Sequence, residues 1–497
     1  MAVPFAGLLL FPLCLLLWTR PYTVLQILMV AAVFPAAAAL ILAGQGVQPP
    51  LVPGLAFISY VLLQRMLGVR YPGDRITWWL CLPFVLTAAW TIMGSVVMPR
   101  LFMNSVLVWP QKNDAVGEQV LLQPSFGNVS QDMYLLINVT LMVTAAGFLT
   151  RGDIRIDRLY RAYLFSGWVV CVICFWQLAY RLAGVPFPET FLYSNPGWAI
   201  LSGQMAGSVP RINASFSEPS ACSTYLAGIL YSLLWITLQG YRLPMARLLI
   251  AFASIALLCT TATTGFVTMA VGLLLLPAAA LATGSIRLAG RFVRFVVIGA
   301  AVAGCGLLVV VTVAPQFAPA ARFVLESTQS KRDSQSYQER SQTDADALAV
   351  VPQTYGLGAG WGSTRASSLI PGLLSGIGVV GVIGLLIFDW RLVREAMAAR
   401  RLVPACPESL VIDGGLAALA GRLVAACVSG PTIGAPDFYL MMALVIAAIA
   451  RIRVWARVNG NAHGQRAFVT AATMPIQAEG DGGRMGGRFT PELSPER

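Results

Sequence analysis

The chain is written as long apolar runs separated by short polar breaks. Marking the runs gives about thirteen segments long enough to cross a bilayer, near 3–19, 22–43, 51–68, 76–98, 131–150, 159–183, 217–239, 245–263, 265–284, 292–314, 369–390, 409–430 and 436–456. The runs do not alternate polar and apolar with a period of two, so they read as helices and not as strands of a barrel. Lipid offers the backbone no hydrogen-bond partner, and a helix satisfies its own. The pattern predicts an all-α, polytopic transmembrane bundle.

The breaks alternate in charge. Arg70 and Arg75, then Arg151, Arg155, Arg158 and Arg161, then Arg242 and Arg247, then Arg287, Arg291 and Arg294, then Arg391, Arg394, Arg400 and Arg401 fall in every second loop, and these loops are short. By the positive-inside rule they face the cytoplasm, which puts the amino terminus outside and the tail from Arg451 inside. Three long segments, 99–130, 184–216 and 315–368, then lie on the outer side, and the pattern predicts helical structure in them. In the third, SKRDSQSYQERSQTDADAL sets Arg340 and Asp344 one helical turn apart, as in a helix lying on the membrane surface. Residues 1–457 form the membrane domain. Residues 458–497, rich in Gly, Pro and charge, cannot bury a core and read as a disordered cytoplasmic tail.

Composition sharpens this picture. Hydrophobic residues make up 57% of the 497 and charged residues only 11%, against about a quarter in soluble domains. The formal charge of +12 is nearly all arginine, because Lys112 and Lys331 are the two lysines. The arginines are scattered among loops, which fits topology and anionic lipid heads and argues against nucleic acid. Most of the nine cysteines lie inside apolar runs, and Cys171 and Cys174 sit one turn apart without a second pair or a nearby histidine, so packing is their expected role and no metal site is expected. Residues 1–19 lack a basic start and a cleavage site and read as a first span. The sequons at Asn128, Asn138 and Asn213 carry no weight.

Three stretches hold candidate chemistry, all where outer loops meet spans. In RINASFSEPSACSTYL, residues 211–226, Pro219 suits a first helical turn, and Ser217 or Glu218 would sit at the positive helix end. An ionisable group at the membrane edge is costly unless used or paired, which singles out Glu218 and Arg211 over a simple capped start. In YGLGAGWGSTRASSLIPGLLSGIG, residues 355–378, Gly356, Gly358, Gly360 and Gly362 permit positive φ and close approach of backbone N–H groups to an anion, with Arg365 just after. No Lys-Ser/Thr follows, so it is not a nucleotide loop, and a plain glycine hinge is the alternative. The third feature is the set Arg332, Arg340 and Arg365, with Arg322 at its edge, whose guanidinium forks suit phosphate oxygens. A solvated amphipathic face is the alternative there.

SFSEPS entering a span, TTATTG at 260–265, and GLGAGWGSTRASS before the Gly-rich GLLSGIGVVG together resemble the bacterial O-antigen polymerase and ligase family, in particular its exopolysaccharide polymerase branch. The resemblance implies a glycosyltransferase of the bacterial inner membrane. It would use undecaprenyl-pyrophosphate-linked oligosaccharide on the periplasmic face, extend a growing polysaccharide, and need no nucleotide sugar, metal or other cofactor. It also implies chain-length regulator and flippase proteins as partners. Glu218, Arg211 and Arg340 are the catalytic candidates, with Glu218 as general base; Asp344 and Glu339 are weaker choices for that role. Arg332, Arg365, Ser217, Gly358, Gly360 and Tyr337 are the candidates for binding substrate. Ligases of the family typically carry a histidine shortly after the Gly-rich turn. Here that stretch is Arg365, Ala366, Ser367, Ser368, and the sole histidine, His463, lies in the inferred cytoplasmic tail, so polymerase is favoured over ligase. From another class, a transporter or flippase of a lipid-linked anion would use the same arginines for binding only.

Overall fold

The computed structural model describes residues 1–42, 44–110, 118–206, 209–282, 288–294, 296–297, 335–403, 405–430 and 434–459. Helices dominate. Among the described residues, eight of them are long and apolar enough to cross a membrane: α4 (Asp74–Leu101), α5 (Phe126–Phe148), α6 (Ile156–Ala183), α8 (Pro219–Leu238), α10 (Thr263–Ala282), α12 (Leu369–Leu402), α13 (Pro407–Ala426) and α14 (Pro436–Asn459). Four apolar helices are shorter: α1 (Phe5–Leu16), α2 (Pro21–Ala31), α3 (Leu51–Met66) and α9 (Ala246–Cys259). The chain is thus an all-α polytopic protein, but four of the thirteen expected spans, at 3–19, 22–43, 51–68 and 245–263, form helices shorter than a span, the first two by the widest margin.

The 12 residues of α1 and the 11 of α2 fall well below the roughly 20 that a span needs. The rest of the second apolar run folds into turns and an antiparallel hairpin, β1 (Leu40–Leu42) with β2 (Gln45–Val47). Gly44, at φ 77°, supplies the left-handed residue of its turn. Span 292–314 lies almost wholly outside the described residues, as do Arg332 and the tail from 460.

The expectation of helical outer loops also needs amending. Segment 99–130 holds the hairpin β3 (Leu107–Val108) with β4 (Val120–Leu121). Segment 184–216 holds the single-turn helix α7 (Glu189–Leu192) and the hairpin β5 (Met205–Ala206) with β6 (Val209–Pro210). The third does contain a helix, α11 (Gln335–Gln353), over the polar stretch that predicted one.

The two ends of the bundle differ in chemistry. At one end the arginine-rich loops knit together: Arg155 pairs with Asp157 at 3.0 Å, Arg400 with Asp413 at 2.9 Å and Arg451 with Glu408 at 3.2 Å. Arg451 also donates to the Ile154 carbonyl at 2.8 Å, and Tyr22 to that of Arg155 at 2.6 Å. At the other end the long loops meet. Asn195 donates to the Gly46 carbonyl at 3.3 Å, the N–H of Leu201 to Ser217 at 2.7 Å, and that of Arg365 to Trp109 at 2.7 Å. The separation follows the alternation of loop charge along the sequence.

The core lies among α8, α13 and α14, where Gly228 and Gly421 let α8 and α13 approach closely. A Cβ on Gly421 would stand 2.7 Å from the Ala227 carbonyl, and small residues at such contacts are what dispersion-driven packing in lipid requires. Inside this packing Arg422 and Asp437 form an ion pair, 5% and 2% exposed. The guanidinium of Arg422 also lies over the rings of Tyr225, at 5.6 Å, and Phe438, at 5.3 Å.

Candidate functional site

The site is assembled from three places in the chain at the long-loop end. The first is the start of α8. Pro219 occupies the first helical position, where its missing N–H costs nothing, and Glu218 is the extended residue before it, at φ −146° and ψ 157°. The Glu218 side chain makes no capping hydrogen bond to the helix, so its carboxylate is free to face outward. Ser217 beside it is buried and its carbonyl is taken by Leu201.

The second is α11. Arg340 reaches from it to Glu218 at 3.9 Å and donates to Ser429 Oγ at 3.2 Å. Asp344, one turn on, does not complete a local pair: it accepts from the N–H groups of Ser367, at 2.7 Å, and Ser368, at 3.1 Å, and from the Ser368 hydroxyl at 2.7 Å. Ser368 stands just before α12 and spends its hydroxyl on Asp344 instead of on the helix, so Asp344 ties the surface helix to the start of a membrane helix. Both of its oxygens are engaged, which leaves it poorly placed as a base. Tyr337 lies on the same helix, half exposed.

The third is the glycine-rich turn. Residues 354–363 dip into the end of the bundle and break α12 at Gly378, which adopts φ 70° and ψ −179°. The turn and α4 repair what the break costs: Ala359 N–H donates to Ser375 at 2.7 Å and Val379 N–H to Gly356 at 2.8 Å, and from α4 the Trp90 indole donates to Ile377 at 3.0 Å. Non-helical backbone at this depth is tolerated because it is buried in protein and paired. Gly358 and Gly360 have φ 82° and 93°. A Cβ on Gly358 would stand 2.8 Å from the Gly378 nitrogen, and one on Gly360 2.9 Å from Pro99 Cδ. The Gly358 N–H is taken by Thr354 Oγ1 at 3.0 Å. The positive φ is as expected, but these two glycines serve close packing against α12 and α4, and neither lines the cavity described next.

That cavity has a volume of about 300 Å³. Its wall carries Glu218, Arg340, Arg365, Trp361, Thr364 and Ser429. Arg211 stands near enough to be felt: burial and the positive charge of Arg340 push its pKa down, and the Glu218 carboxylate pulls it back up. Its Nε is buried without a hydrogen-bond partner among the described residues. The wall itself carries two guanidinium groups and one carboxylate, and just behind it Arg211 and the Asp344 carboxylate bring one charge of each sign, so the surroundings of the cavity stay net positive. Such a set is unfavourable alone and suits an anion. Arg365, exposed at the mouth, brings one of these cations, while Arg332 lies outside the described residues.

The structure therefore brings together Glu218, Arg340, Arg365 and Arg211 with Ser217 behind them. It adds residues that sequence reading passed over. Ser429, from the turn between α13 and α14, is the hydrogen-bond partner of Arg340, and no local motif marks it. Asn128 holds the glycine turn from α5, donating to the Trp361 carbonyl and to Ser363 Oγ, both at 2.7 Å. Its sequon context carried no hint of this. Trp361 and Thr364 were visible inside the glycine motif, as bulky and polar residues in a stretch read for its glycines. No group of histidine, cysteine and acidic side chains that could hold a metal occurs among the described residues. Against known proteins, the chain matches no family model and no curated sequence.

Proposed function

We propose that the chain is a polysaccharide polymerase of the bacterial inner membrane, joining repeat units carried on undecaprenyl pyrophosphate at its periplasmic face. The observation that carries this reading is the meeting of Glu218, Arg340 and Arg365 on one cavity, with Arg211 beside them, at the end of the bundle opposite the arginine-rich loops. By the positive-inside rule that end is the outer one.

In the proposed reaction Glu218 takes the proton of the acceptor hydroxyl, whose oxygen attacks the anomeric carbon of the donor sugar. The bond from that carbon to the phosphate oxygen breaks, and undecaprenyl pyrophosphate departs with the electron pair. Negative charge grows on the leaving diphosphate as it goes, and Arg340, Arg365 and Arg211 stabilise it. The link between Glu218 and Arg340 is long and partly exposed, so it is weak and easily exchanged for substrate. Arg340 can then pass from carboxylate to diphosphate while Ser429 steadies it. Polymerase is preferred to ligase because no histidine follows the glycine turn; Arg365 to Ser368 stand there.

The test is polymer length in cells carrying Glu218→Ala, Arg211→Ala or Arg340→Ala. Each variant is expected to shorten or abolish the polymer at normal protein levels. Unchanged chain-length distributions in all three remove the proposed site, and intact polymer that no longer reaches its acceptor would mark a ligase.

A further inference from the structure

Two polar side chains in the cavity wall have no role in the chemistry above. Thr364 is 7% exposed, and its hydroxyl has no hydrogen-bond partner among the described residues. Trp361 presents an indole N–H that is likewise buried and unpartnered. Both line the cavity, and both sit on the turn that ends at Arg365. A buried polar group left unpaired is costly.

The turn that carries them is held firmly. Asn128 grips the Trp361 carbonyl, Ser363 N–H donates to Gly360 at 3.1 Å, and Arg365 N–H to Trp109. The backbone that carries them is therefore fixed before any ligand arrives, and only side-chain rotation remains to bring the indole N–H and the hydroxyl to it. The chemistry is also specific. Indole offers a flat apolar face and one donor, and threonine offers a hydroxyl that both donates and accepts. An apolar plane flanked by a donor and a hydroxyl matches a pyranose ring, which has a C–H face and a rim of oxygens. A volume of about 300 Å³ is at the lower limit for small-ligand pockets, roughly 300–1,000 Å³, and leaves room for one ring at the diphosphate rather than a whole repeat unit.

We infer that Trp361 and Thr364 form a subsite that reads the sugar directly attached to the diphosphate, with the indole face against the ring and the indole N–H and threonine hydroxyl bonded to its oxygens. This rests on the proposed use of a lipid-linked donor and adds which part of that donor sets specificity. A site built to pair a sugar oxygen rejects a ligand that lacks it, because the protein group is then left unpaired.

The test uses the full chain in nanodiscs and two probes, undecaprenyl pyrophosphate and the same lipid bearing a single N-acetylhexosamine, with Kd read by native mass spectrometry. Thr364→Val keeps the shape and removes the hydroxyl; Trp361→Phe keeps a ring and removes the N–H. Each is expected to weaken binding of the sugar-bearing lipid about tenfold, the worth of one hydrogen bond. Binding of the bare diphosphate lipid should stay within about twofold by the same reasoning. Equal binding of both probes by wild type and by both variants overturns the subsite while leaving the diphosphate site standing. Failure of wild type to bind either probe overturns the diphosphate site and the subsite together.

Discussion

Replacing Asp437 with Asn tests how the site end of the bundle is held together. Asp437 and Arg422 are almost fully buried and paired, so the substitution leaves a guanidinium in the protein interior without its counter-charge. Removing one partner of a buried pair costs about 3–5 kcal/mol. The rings of Tyr225 and Phe438 remain over Arg422 in the variant, so they hold the charge equally before and after and do not reduce that loss. The double replacement Arg422→Met with Asp437→Leu removes both charges and fills the space, and it should recover most of the loss, since such swaps are often neutral or stabilising. The assay is equilibrium unfolding by SDS titration in mixed micelles, comparing wild type, Asp437→Asn, the two singles Arg422→Met and Asp437→Leu, and the double. Coupling of roughly 3 kcal/mol between the sites is expected. A cost below about 1 kcal/mol for Asp437→Asn, or a double variant that loses the sum of the two singles, refutes the reasoning.

Other outcomes follow from the same geometry. Gly358→Ala places a methyl 2.8 Å from the Gly378 nitrogen at φ 82°, and should lower unfolding stability by about 2–4 kcal/mol through overpacking and left-handed strain, as read by the same titration. Asp344→Asn loosens the tie between α11 and the start of α12, costing about 1–2 kcal/mol and speeding protease cleavage within 335–353 before any cleavage elsewhere. Ser341→Cys should react with a membrane-impermeant maleimide in intact spheroplasts, whereas Arg70→Cys should react only after permeabilisation; the reverse pattern would invert the orientation argued from the arginine loops.

The sequence carried the bundle well where two signals agreed. Pro219 marks the start of α8, and the apolar run from 369 marks that of α12; both helices begin there. Hydropathy alone was blind where an apolar stretch is not a helix. Residues 22–43 read as one span because Leu40–Leu42, in a hairpin, is as apolar as Leu25–Met29, in α2. The charge alternation depends on loops, and Arg155, Arg400 and Arg451 of three such loops pair with nearby acids.

At the site, the residues that carry charge next to a helix start were legible, since Glu218 and Arg211 have no cheap bland role at a membrane edge. Their partners were less so. The spacing of Arg340 and Asp344 suggested a pair on one helix face, whereas α11 leans on two other segments and gives each residue a different partner, Glu218 for one and Ser368 for the other. The glycines of 356–362 announced positive φ but not its purpose, because close approach to an anion and close approach to another helix make the same demand on the backbone. Ser429 could not be found at all, as a serine in a turn is unremarkable until the chain brings it to Arg340.

The most direct measurement is single-turnover polymerisation by the purified chain, reconstituted with a defined undecaprenyl-pyrophosphate-linked repeat unit and compared with Glu218→Gln. Wild type should extend the glycan and release undecaprenyl pyrophosphate, while the variant should bind the donor normally yet slow the chemical step by about 100-fold or more, as loss of a general base requires. A Glu218→Gln protein that turns over at the wild-type rate would contradict the account at its centre.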